Sequence, residues 1–111
     1  MAINVTALLK SMLIAAEGSV NKKQWSQMKD YAAMEFKGIA EAIAFIEQKK
    51  LAGEMSEEEA QLHLSIQQHA ARTVLLTIKG VGLLQAEAAI NAALAVIQKT
   101  VNTAVGFTLI A

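Results

Sequence analysis

Residues 78–97 read IKGVGLLQAEAAINAALAVI, a run that is nearly all apolar yet holds two glycines near its start and Gln85, Glu87 and Asn91 in its middle. Three readings compete for it: a membrane span, the inside of a helical bundle, or a seam for another chain. Residues 80–97 approach the roughly 20 apolar residues that a span requires. A carboxylate at the centre of a span, however, costs at least ~2.5 kcal/mol on the mildest insertion scale. Alanine supplies much of the remainder and is only weakly lipophilic. Gly82, Ala86, Ala89 and Ala93 instead place small side chains where two helix backbones can approach closely. The stretch therefore reads as a protein seam, in preference to a membrane role.

Working outward, the composition points to helices throughout. The 111 residues include no proline and only 5% aromatic residues, and no alternating run of β-branched residues is bounded by turn signals. The length suits one domain, residues 1–111, of the all-α class. Hydrophobic residues make up 54% and charged residues 18%, an apolar surplus over roughly 45–50% and 25% in ordinary soluble domains. A small domain keeps much of its surface exposed, so that surplus calls for a second subunit, a lipid phase or an apolar ligand.

The firmest local signal is QKKLAGEMSEEEAQ, residues 48–61. Lys49 and Lys50 sit where a helix end favours cations, and Gly53 can take the left-handed conformation that closes a helix. Ser56 and Glu59 then form a capping box, with Glu57 and Glu58 at the positive end of the next helix. So short a connection makes the flanking helices antiparallel neighbours.

Upstream, Trp25, Met28, Ala32, Phe36, Ile39, Ile43 and Ile46 recur at alternating spacings of three and four, a heptad stripe on a helix from about residue 22 to 50. Tyr31 and Met34 fall in the same aromatic- and methionine-rich patch and are expected to pack in the core with it. Gly18–Asn21 marks a break after a first helix of about residues 2–17.

Downstream, one stripe runs Leu62, Ile66, His69, Thr73, Leu76, Gly80, Leu83, Glu87, Ile90, Leu94, Ile97, Val101, and a second runs Ala71, Leu75, Ile78, Gly82, Ala86, Ala89, Ala93, Val96. The phase carries straight through Gly80 and Gly82, and no residue after them has the chemistry of an N-cap. These observations predict one third helix from about 57 to 104, with the glycines as the place for any kink, and ~70 Å long. A helix apolar on two faces needs neighbours on both sides. The predicted architecture is an elongated helical hairpin, the first helix beside the C-terminal half of the third, which dimerises into a four-helix bundle. A monomeric bundle of four shorter helices is the alternative. Leu76, Gly80, Leu83, Glu87, Ile90, Leu94 and Ile97 are the expected interface.

Signals for chemistry are sparse. Ten basic and ten acidic residues give zero net charge, with no basic stripe for nucleic acid. Without cysteine there is no disulfide, thiolate metal site or thiol nucleophile. His63 and His69 are six apart and cannot chelate one metal together, whereas Glu59 and His63 share a face that Glu35 could approach across the hairpin. The Glu-x-x-His motif of carboxylate-bridged bundles is missing, because Ala60 and Ile66 stand three before the two histidines. Glu87 on the apolar stripe calls for a cation, Arg72 or Lys79 of a partner chain, or else sets register together with Asn91. Lys79-Gly80-Val81-Gly82 is no phosphate loop. The terminal VGFTLIA would be a docking tail if exposed.

The expectation is a non-enzymatic helical assembly module, acting as a homo-oligomer without cofactor or metal. It is placed in the cytoplasm, because no positive n-region precedes the apolar start and Lys10 interrupts it. A membrane-active amphipathic protein and a small metal–carboxylate bundle are the rivals.

Overall fold

Asn4 starts the first helix: its side chain accepts a hydrogen bond from the Ala7 amide at 2.9 Å, satisfying one of the donors that every helix start leaves orphaned. In the computed structural model, which describes residues 3–111, four helices follow in order, and no strand occurs among these residues. They are α1 (Val5–Ser19), α2 (Lys22–Leu51), α3 (Glu57–Leu76) and α4 (Leu83–Val105).

The caps explain most boundaries. Asn21 accepts from the Gln24 amide at 2.8 Å while its own amide donates to the Gln24 side chain at 3.4 Å, a reciprocal box that starts α2. At the far end Gly53 adopts φ 73° and the Glu54 amide closes back on the Lys49 carbonyl at 2.9 Å. Ser56 and Glu59 make the expected second box, with both bonds at 3.1 Å. The hairpin α2–α3 therefore forms where the sequence places it.

α2 supplies the spine of the core. Met28, Ala32, Phe36, Ile39, Ile43 and Ile46 are fully buried, and Trp25 packs half-buried against the same cluster. Each large side chain so buried contributes roughly 1.5–3 kcal/mol relative to an exposed one. Tyr31 and Met34 depart from expectation: at 48% and 58% exposed they lie outside the core. They fall between the heptad positions, on the side of α2 turned away from the bundle.

The predicted third helix is two helices. The Thr77 and Ile78 amides tighten onto the Val74 and Leu75 carbonyls at 3.1 and 3.2 Å, and the Thr77 hydroxyl bonds the Val74 carbonyl at 2.6 Å. Gly80 then takes φ 89°, a conformation that side chains with a Cβ disfavour. Val81 is drawn into the core at 7% exposure. α4 restarts with Gly82 as N-cap, whose amide donates to the Gln85 side chain at 3.1 Å. Gly82 has no side chain to return the bond, so this is half a capping box, and half is enough to begin a helix. The ~70 Å rod is thus replaced by a body of 44 × 22 × 20 Å with a radius of gyration of 13.7 Å, close to the ~13 Å of a compact chain this long.

α4 folds back to lie along α1, which it approaches more intimately than any other pair of helices does. The buried alanines Ala86, Ala89 and Ala93 permit that closeness. The first helix therefore does sit beside the C-terminal half of the downstream segment. Residues after α4 also fold inward. Asn102 accepts from the Leu109 and Ile110 amides and donates to the Ile110 carbonyl, each at 2.9 Å. Leu109 and Ile110 are buried. The apolar tail docks on its own chain.

Candidate interaction surface

The seven residues expected at an interface divide between two environments. Ile90, Leu94 and Ile97 are 5%, 5% and 2% exposed and belong to the chain's own core. Their register is apolar because α4 needs an inward face, so they are not available to a second subunit. Leu76 and Leu83 are 41% and 54% exposed, and Gly80 is exposed between them. Glu87 is half-exposed and meets Arg72 at 3.7 Å. The cation here is Arg72 of the same chain, across the α3–α4 turn, and an exposed pair of this kind contributes about 0–1 kcal/mol. Asn91, the other candidate for setting register, is exposed.

α3 presents the more telling arrangement. Ala60, Leu64, Ala71 and Leu75 face the core. Leu62, Ile66, His69, Thr73 and Leu76 are all exposed and occupy a sector of about 80° on the opposite side of the 3.6-residue helix. Leu62 and Ile66 are 61% and 54% exposed. Isolated exposed leucines are ordinary, but three large apolar side chains in one helical sector, with His69 and Thr73 between them, mark a surface with a use. Beside it, Phe45 of α2 stands edge-on to His63, ring centres 6.3 Å apart, and Leu51 is 65% exposed at the end of α2. The heptad stripe of α2 conceals Phe45, because the adjacent Ile46 takes the inward position.

Polar chemistry on this face is limited. His69 directs Nδ1 at the Ser65 carbonyl, 2.8 Å away, and shares with Arg72, Glu87 and Asn91 a cleft of about 170 Å³. Glu59 and His63 share a helical face as their spacing requires. The Ser56 amide on the Glu59 carboxylate, then the Ser56 hydroxyl and, last, the neighbouring His63 hold the Glu59 pKa below its ordinary value. Glu35 does not join them: Phe45 is the α2 residue beside His63, and ten positions of helix put Glu35 about 15 Å away. Among the described residues no three His, Asp or Glu side chains converge as a ligand set.

Two further features escaped the sequence. A larger groove of about 740 Å³ runs between α1 and α4, lined by Ile3, Ala7, Leu8, Val96 and Thr100 among others. Glu47, one position past Ile46, is 5% exposed and accepts from the Ile3 amide at 2.6 Å; its Oε2 is buried with no partner among the described residues. Its place four residues after Ile43, at the edge of the inward stripe, was the available signal. Among the described residues no helix is long and apolar enough to cross a membrane. No protein-family model, curated protein or solved structure matches this chain.

Proposed function

We propose that this chain is a non-enzymatic helical module whose work is association with other copies of itself. The observation that carries the reading is the outer face of α3, where Leu62, Ile66 and Leu76 stand exposed at heptad spacing on a helix whose other side already closes a core. The surplus of apolar residues in the composition supports it: the four-helix core leaves eleven large hydrophobic side chains exposed among the described residues, and α2 and α3 hold most of them. Association therefore needs no opening of the bundle. It uses a face that the fold has finished and left apolar.

Mass in solution tests the reading. Light scattering across a range of concentrations should give a mass above the 11.9 kDa of one chain, rising with concentration. A mass that stays at one chain up to millimolar protein defeats it.

A further inference from the structure

We infer that two copies join by laying α3 against α3 in antiparallel fashion, with the two His69 side chains meeting at the two-fold axis; this rests on the reading of the chain as a self-associating module. Residues 62, 66, 69, 73 and 76 are spaced four, three, four, three, the interval at which one helix presents a seam to another. A two-fold interface must be self-complementary: where residue i touches j, j touches i. The stripe has that property. Leu62 and Leu76 lie seven positions either side of His69, so an antiparallel pair brings each Leu62 onto the Leu76 of the other copy. Ile66, three before His69, and Thr73, four after it, then lie one position out of step across the seam, near enough for the Thr73 methyl group to offer apolar contact.

Charge selects the antiparallel arrangement over the parallel one. Glu57, Glu58 and Glu59 crowd the first turn of α3, and a parallel pair would set both acidic turns side by side. Reversing one copy moves each acidic turn to the far end of the other α3, where Lys79 is exposed in the turn. Lys79 lies three residues past the end of α3, so the antiparallel arrangement sets each acidic first turn toward the end of the partner helix that carries this exposed cation. The helix dipoles also run head to tail. The seam from residue 62 to 76 is only about 21 Å long. That places the interface at the small end of specific ones, and its association is concentration-dependent.

Cysteine crosslinking tests the geometry cleanly, because the chain has no cysteine of its own. Under mild oxidation His69→Cys should give a disulfide dimer about tenfold faster or more than Lys99→Cys on the outer face of α4, since the seam raises the local thiol concentration. Leu62→Cys alone should crosslink no faster than Lys99→Cys, but mixed with Leu76→Cys it should form the mixed dimer readily. Ile66→Glu, at an exposed site that leaves the core intact, should shift the mass by light scattering to one chain with helical circular dichroism retained. Rapid crosslinking by Leu62→Cys alone overturns the antiparallel seam, as does His69→Cys reacting no faster than Lys99→Cys. Should Ile66→Glu keep the oligomeric mass of the wild type, this surface is wrong while self-association stands. Should the wild type itself stay at one chain, both fall.

Discussion

α3 and α4 carry the same stripe, in phase through the sequence, and use it in opposite ways. In α4 the stripe is core from Ile90 onward: Ile90, Leu94, Ile97 and Val101 are buried, while Leu83 and Glu87 at its start stay open to solvent. In α3 its continuation, Leu62, Ile66, His69, Thr73 and Leu76, is exposed, and Ala60, Leu64, Ala71 and Leu75 face inward instead. The six residues from Thr77 to Gly82 make the difference. Once the helix is interrupted, the rotation of one half no longer fixes that of the other. A heptad pattern shows that a face wants a partner, but it does not say whether the partner lies within the chain.

The largest effects should separate the two halves of the stripe. Ile97→Ala removes buried volume from α4 and should lower stability by about 2–5 kcal/mol, as cavity-forming substitutions of isoleucine do. Ile66→Ala, at a position 54% exposed, should change the stability of the single chain by no more than about 0.5 kcal/mol. Urea unfolding at low protein concentration measures both. Comparable losses at the two sites would mean that α3 turns its Ile66 side toward the core.

Much of this fold was legible because local chemistry and burial agree. The Ser56–Glu59 box, the Lys49–Gly53 exit and the α2 heptad each combine a cap or periodicity with an environment that wants it. The break at Gly80 was not legible for the converse reason. Helix phase ran unbroken through it, while the signals for a stop were a positive φ and a cap made by Gln85 reaching back to a glycine amide. Lys79 followed by Gly80 has the residue pattern of a helix end, but the unbroken phase and the lack of a side-chain N-cap outweighed it, and the cap that restarts α4 is made by a glycine amide instead. The exposed α3 stripe could be read as residues but not as a surface, since its environment depends on how the turn rotates the chain. Glu47 stayed hidden because its partner is a backbone amide 44 positions away.

Gly80 offers a test whose sign separates a broken helix from a continuous one. Were residues 57–104 one helix, Gly80→Ala would replace a poor helix former with the best one and stabilise the chain by roughly 1 kcal/mol. With φ at 89° the same substitution imposes a left-handed conformation on a residue with a Cβ and should destabilise by about 1–2 kcal/mol. The added Cβ would also come within 3.1 Å of the Gln27 side chain, although that side chain is exposed and can move aside. A rise in the thermal midpoint of Gly80→Ala would restore the long helix and with it an unbroken seam from Leu62 to Val101.

The smallest expected effect lies at the start of α3, where the stripe begins. The Glu59 pKa is depressed in the folded chain by the Ser56 amide, so its carboxylate binds protons less readily folded than unfolded. Its contribution to stability is thus fully present above the ordinary carboxylate pKa and lost as pH falls through the lower folded value. Glu59→Gln keeps an acceptor for the Ser56 amide but cannot titrate. The variant should therefore show a shallower decline in unfolding midpoint between neutral and acid pH than the wild type, with little change at pH 7. Because Glu59 is fully exposed, the difference should be modest. If both proteins lose stability in parallel as pH falls, the capping box is not holding the first turn of α3, and the rotation that exposes Leu62 and Ile66 loses its anchor at that end.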